Sequence, residues 1–251
     1  MVSATKSWRS LPKSTRRLLI IIGLPILLVS SCKAIFIPTT EKRYRLEISV
    51  EIDGKNYTGG AVQQLTATGA AEIFRGLSQT SAHYEFYGEA AAIDLGEHGT
   101  LYALMRYPPP ADKPTAFHLA KRYYSAFVPT VCGLRVGRFG YAVFIWRIRM
   151  LWNDCEVPID ELPMLVRFAN EPELDSVEQV DPKNLAATYG PSAKFLGARI
   201  SFTREPLSTE IEKRLPWMEA QKGRITVLPY DPKNPKLNES MKRSYFIRED
   251  K

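Results

Sequence analysis

The residues of this chain best suited to proton transfer or metal ligation are its three histidines, His83, His98 and His118, which fall within 36 residues. Zinc sites draw ligand pairs from positions a few residues apart, so separations of 15 and 20 match no local pair. His83-Tyr-Glu85 echoes the His-x-Glu of zinc deaminases, but the Pro-Cys-x-x-Cys that must accompany it is absent. These histidines are therefore expected to be surface or capping residues, with no metal and no cofactor. A serine hydrolase would need its nucleophile on a strained turn, and no Gly-x-Ser-x-Gly elbow occurs. His-Glu-x-x-His and a Gly-Lys-Ser/Thr phosphate loop are also missing, and Gly133, Gly137 and Gly140 have turn spacing rather than that of a dinucleotide fingerprint.

Two segments could bind rather than react. In Trp146-Arg-Ile-Arg-Met-Leu-Trp152 the aromatic faces suit sugars or lipid headgroups, and Arg147 and Arg149 suit carboxylates or phosphates. Read with period two, this is a long strand, Val143 to Trp152, with Phe144, Trp146, Ile148, Met150 and Trp152 on one face and the arginines on the other. The competing reading packs the aromatics into the core and lays the arginine stems along the sheet. Trp217, in Leu-Pro-Trp-Met, is a second candidate anchor, or else core filler.

Charge decides the compartment. The formal net charge is +7, yet residues 1–40 hold six of the 34 basic residues and no acidic one. The remainder has 28 basic against 27 acidic residues, too balanced to gather phosphates generally, so nucleic acid is not an expected partner. Five cations precede the 12-residue apolar run Leu18–Val29, the order of a secretory leader, and send the rest of the chain across the membrane. Val29-Ser-Ser-Cys32 resembles a lipoprotein cleavage box, which would make Cys32 the first, acylated residue. The run is short for a spanning helix of about 20 residues. An uncleaved anchor from Leu18 to Ile37 would reach that length but must carry Lys33, at about 2.5–3.5 kcal/mol if central and less near its end. A buried core helix of a cytosolic protein would have to explain the one-sided cations. In a periplasm Cys132 and Cys155 remain as an even pair, either bridged or free.

The elements that must position these groups are mostly strands. Arg43 to Glu51 alternates strictly, with Tyr44, Leu46, Ile48 and Val50 on one face, and Asp53-Gly54 supplies a two-residue turn returning through Tyr57 to Leu65. A second hairpin joins Tyr84–Leu95 to Thr100–Tyr107. Pro114 to Phe127 has helical spacing, Leu162 to Phe168 reads as a strand, and Asp181 to Gly190 reads as a short helix. Ala193 to Arg204 alternates with Leu196, Ala198, Ile200 and Phe202 inward, Thr209 with Glu212 forms a capping box, and Arg224–Leu228 is a weak strand. The predicted class is α+β, a mainly antiparallel sheet with a few short helices. Its expected parts are a leader or anchor over 1–37, one domain over 43–230 and a polar tail over 231–251.

Tyr44-Arg-Leu-Glu-Ile-Ser-Val-Glu-Ile-Asp-Gly54, Ala92-Ile-Asp-Leu-Gly96 and Glu212-Lys-Arg-Leu-Pro-Trp217, behind a basic apolar leader ending near a cysteine, resemble an exported bacterial family of unknown function. The resemblance covers most of the chain in order of segments and implies export, not an activity. The expected protein is a non-enzymatic envelope lipoprotein, its domain on the periplasmic side. Its expected partners are the membrane, held through an N-terminal lipid or helix, and an envelope protein or cell-wall component. The alternatives are an envelope hydrolase whose site forms only in the fold, and a scaffold on an uncleaved anchor.

Overall fold

The computed structural model describes residues 39–69, 82–109, 123–135, 140–221 and 237–249. The leader with Cys32, His118 with most of the Pro114–Phe127 helix, and the Arg224–Leu228 strand lie outside the described residues.

Strands β1 (Thr39–Ile52) and β2 (Lys55–Gly69) form one antiparallel hairpin, paired from Ile52↔Lys55 to Thr39↔Thr68. Asp53 and Gly54 both take positive φ, 52° and 74°, which matches the twist of the flanking strands. The alternation of β1 puts Tyr44, Leu46, Ile48, Val50 and Ile52 in the core.

Around this hairpin the sheet forks. The far half of β2 pairs with β3 (Ala82–Glu89), while Gly60 pairs with Ala92 of β4 (Ala91–Asp94). Backbones approach closely at the fork: a methyl on Gly60 would strike the Leu46 carbonyl oxygen, and one on Gly59 the Ala92 carbonyl. Beyond β4 come β5 (Thr100–Ala103), β7 (Leu165–Phe168) and β8 (Val177–Val180). On the other side β9 (Lys194–Thr203) pairs with β1, and the two-residue β6 (Cys155–Glu156) pairs with β9. β10 (Ile247–Arg248) closes onto β3, and every pairing in this curled sheet is antiparallel. The predicted arm Tyr84–Leu95 is split at Ala90, whose N–H donates to the Phe246 carbonyl.

Both faces are covered where the sheet is central. In β5, Leu101 and Ala103 join a first core with Tyr44, Leu46 and Ile48, whereas Tyr102 joins a second core with Val166 and Phe168. The first core is capped by helices α1 (Phe127–Val131) and α2 (Gly140–Arg149), which supply Phe127, Phe144, Ile145 and Ile148. α1 begins where the predicted Pro114–Phe127 helix was to end, because Pro129 lacks an N–H and fits only a first turn. A buried network ties this segment down: the hydroxyls of Tyr44 and Tyr124 donate to Gln63 Oε1 at 2.8 and 2.7 Å, and Gln63 Nε2 donates to the Glu89 carbonyl at 2.6 Å.

The first core also takes Tyr189 from the next helix, and the short helices after that one close the second core together with the stretch from Leu237 to Ile247. α3 (Ala186–Tyr189) is shorter than predicted, because Asp181 Oδ1 accepts the Lys183 N–H in a turn of its own; Gly190 ends it at φ 96°. After it come α4 (Ile211–Arg214), α5 (Trp217–Ala220) and the one-turn α6 (Leu237–Ser240). Ile211, Leu215, Met218, Met241 and Phe246 are all buried in this second core. The stretch expected as a polar tail is thus partly structural: its described apolar residues, Leu237, Met241, Tyr245, Phe246 and Ile247, are sparse but all pack in or against this one core.

The predicted capping box at Thr209 and Glu212 does not form. Glu89, buried on β3, reaches across instead, and its Oε2 accepts the N–H groups of Glu210 (2.6 Å) and Ile211 (3.1 Å). Glu212 accepts from Arg243, at 2.6 Å from Nη2. Burial is the main cause holding the Glu89 carboxyl above its ordinary range, with the helix N–H groups opposing it. A raised folded pKa contributes stability that is complete below the unfolded pKa and lost as pH rises through the folded one. Glu89→Ala should cost about 1–2 kcal/mol in urea titrations and Glu89→Gln, which retains an acceptor, clearly less. The Gln variant should also flatten the decline in stability just above the ordinary carboxylate range.

Candidate functional site

At one end of the β1/β9 pair, three segments distant in sequence meet beside Gln64 of β2: Thr39–Arg43 of β1, Thr203–Arg204 at the end of β9, and Arg149–Trp152, which runs out of the end of α2. They line an open groove of about 750 Å³. Its described lining holds four cations, Lys42, Arg43, Arg149 and Arg204, against one carboxylate, Glu41.

Lys42 is the centre of this site. The alternation that buries Tyr44 and Leu46 extends back to Lys42 and leaves it only 6% exposed, an uncommon place for an ammonium. Nζ donates to the Leu151 carbonyl at 2.8 Å and lies 3.6 Å from the centre of the Trp152 ring, with Phe202 at 5.7 Å. The dipole and ring quadrupole replace part of the lost water. Among the described residues no carboxylate forms an ion pair with it. Burial first, then the fields of Arg149 and Arg204, lower the Lys42 pKa from its ordinary value. An anion entering the groove would offset both fields at once.

The other cations are held by neighbours. Arg43 donates from Nε to Gln64 Oε1 and from Nη1 to the Glu205 carbonyl, each at 3.2 Å. The Arg204 guanidinium lies 5.7 Å from the Trp152 ring, and Arg149 lies 5.2 Å from that of Trp146. Trp152 therefore underlies two cations while remaining 54% exposed. Such a floor with basic walls can grip a phosphate or carboxylate and pack the apolar part of its bearer.

α2 builds one wall of this groove, in place of the strand predicted over Val143–Trp152. Phe144, Ile145 and Ile148 are buried while Trp146, Arg147 and Arg149 are exposed, the pattern of period 3.6. Arg147 turns away, with Nη1 donating to the Arg135 carbonyl at 3.5 Å, so of the two expected arginines only Arg149 lines the groove. Both flanks of α2 are fastened by a disulfide from Cys132, after α1, to Cys155 in β6, with Cα atoms 5.3 Å apart. Trp217 is not an exposed anchor. It packs in the second core, 5.3 Å from Phe246 and 5.9 Å from Phe168 between ring centres. Leu196, expected inward, is exposed because a bulge in β9 matches Ser49 with Gly197 and Val50 with Phe195, skipping it.

The described histidines do not enter the groove. His83 sits on the surface with Nε2 3.3 Å from Glu85. His98 Nε2 is 3.5 Å from Asp53 Oδ2, while Ser192 Oγ donates to Asp53 Oδ1 at 2.5 Å. This trio has hydrolase composition but the wrong order. A triad needs the imidazole between serine and carboxylate to take the serine proton, and here the carboxylate is in the middle. Among the described residues no group of three His, Cys, Asp or Glu side chains could hold a metal ion, and no described helix is long and apolar enough to cross a membrane.

Met150 and Trp152 belong to the segment that the sequence singled out, whereas the groove cations Lys42, Arg43 and Arg204 had not been picked out from it. A signal for Lys42 existed, since it continues the inward register of Tyr44 two residues earlier. Comparison with protein-family models, with curated proteins and with solved structures finds no match.

Proposed function

We propose that this chain is a membrane-anchored extracytoplasmic protein whose domain binds an anionic component of the cell envelope without turning it over. The observation that carries the reading is the groove around Lys42: four cations, a tryptophan floor, and no imidazole or nucleophile–base pair among the described lining residues. The anchor part of the reading is supported by the five cations ahead of Leu18–Val29 and by the cleavage-box pattern at Cys32. A disulfide within the domain agrees with an oxidising compartment.

The binding claim is tested with the full chain in zwitterionic detergent, titrated with glycerol 3-phosphate in a calorimeter. Saturable binding that weakens with added salt is expected. Arg204→Ala, an exposed substitution, should weaken it about 10-fold, the value of one hydrogen bond to a charged group. Absence of saturable binding, or an Arg204→Ala isotherm matching the unmodified protein, would overturn the reading.

A further inference from the structure

Resting on that anion-site reading, we propose that the face made by α2 and the groove docks on the bilayer that holds the chain, the groove closing on the phosphodiester of an anionic phospholipid in the same leaflet. Three observations converge on it.

The first is where exposed apolar surface is concentrated. Among the described residues, Val143, Trp146, Met150 and Trp152 are four of the six large apolar side chains left exposed, and all come from ten consecutive positions. Val143, Trp146 and Met150 recur at spacings of three and four, so they form one stripe, on the side of α2 away from the buried Phe144, Ile145 and Ile148. Met150, 74% exposed, and Trp152 carry the stripe to the rim of the groove.

The second is what flanks that stripe. At 100° per residue Arg147 and Arg149 fall on either side of it, and beyond Trp152 lie Lys42 and Arg204. Tryptophan and methionine at headgroup depth, with arginines reaching phosphates beside them, is the arrangement of an interfacial amphipathic helix. A second copy of the chain would bring these same cations face to face, and charge disfavours it.

The third is reach. β1 starts at Thr39 and forms the groove at once, and six residues separate Thr39 from Cys32. A fully extended link of that length spans at most about 25 Å. With the alternative anchor ending at Ile37, one residue intervenes. Either attachment holds the groove end of the domain beside the lipid headgroups, where each cation near an anionic surface adds about 5-fold to association.

The test uses the full chain reconstituted into vesicles of phosphatidylcholine, alone or mixed with phosphatidylglycerol, with acyl chains brominated to quench tryptophan emission. Quenching should be greater in the phosphatidylglycerol vesicles. The increment should vanish in Trp146→Phe/Trp152→Phe, which removes the reporting rings and leaves the core ring of Trp217 in place. Arg149→Glu and Arg204→Glu should each reduce the docked fraction about 5-fold or more, as should added salt. Equal quenching in the two lipid mixtures, or an increment that survives loss of both rings, overturns the docking proposal. Calorimetry with glycerol 3-phosphate separates the two levels. If it binds in the groove while quenching ignores phosphatidylglycerol, docking fails and the anion site stands; if neither is seen, both fall.

Discussion

Phe246→Ala is expected to remove about 4 kcal/mol of stability, mid-range for a buried aromatic, although only five residues follow it in the sequence. Its ring is fully buried and meets Tyr102 at 6.2 Å, Phe168 at 6.0 Å and Trp217 at 5.3 Å. Its backbone is also engaged, the Phe246 carbonyl accepting from Ala90, and the next two residues form β10 on β3. The loss combines transfer of the ring to water with a cavity that three aromatic neighbours cannot refill without leaving their own contacts. Urea unfolding followed by near-ultraviolet circular dichroism measures it. A loss under about 1 kcal/mol would mean that this core tolerates collapse and that the C-terminal segment only decorates it.

Removing the Cys132–Cys155 bridge has the second large effect. The bond closes a loop with 22 residues between the cysteines, and the entropy regained by the unfolded chain corresponds to about 3 kcal/mol. For a domain of this size the melting temperature of Cys132→Ala/Cys155→Ala should fall by about 6–12 °C. The closed loop contains all of α2. Its loss therefore also loosens the wall that carries Arg149 and Trp152, and glycerol 3-phosphate should bind the double variant more weakly even well below its melting point. If melting falls but the isotherm stays unchanged, packing of Phe144, Ile145 and Ile148 alone positions that wall.

How much of this was legible in the sequence depended on how local its causes are. The β1–β2 hairpin was, because Asp53-Gly54 supplies both positive φ values and nine alternating residues admit no other period. α2 was not. Phe144 and Ile148 are four apart, and residues four apart share a face in a strand and in a helix alike. Ile145 separates the two readings, being buried with Phe144 and Ile148, where a strand would have set it beside Arg147 and Arg149. Leu196 was lost to one bulge, which inverts every assignment on its far side. The helix cap was out of reach because its acceptor, Glu89, is 121 residues from Glu210. The groove was invisible for the same reason: its three segments lie along more than 160 residues, and only the pairing of β1 with β9 and the docking of α2 bring them together. Cys132 and Cys155, legible as a pair from their number, needed the fold to set them at bonding distance.

The split of β5 between two cores has an effect on the order in which the molecule can be finished. Leu101 and Ala103 share the first core, whose described buried members run no further along the sequence than Ile200, whereas Tyr102 and Phe168 share the second with Met241 and Phe246. A polypeptide still leaving the ribosome can therefore complete the first core while the second still lacks Met241, Phe246 and Ile247, and its unfilled apolar surface stays adhesive until they arrive.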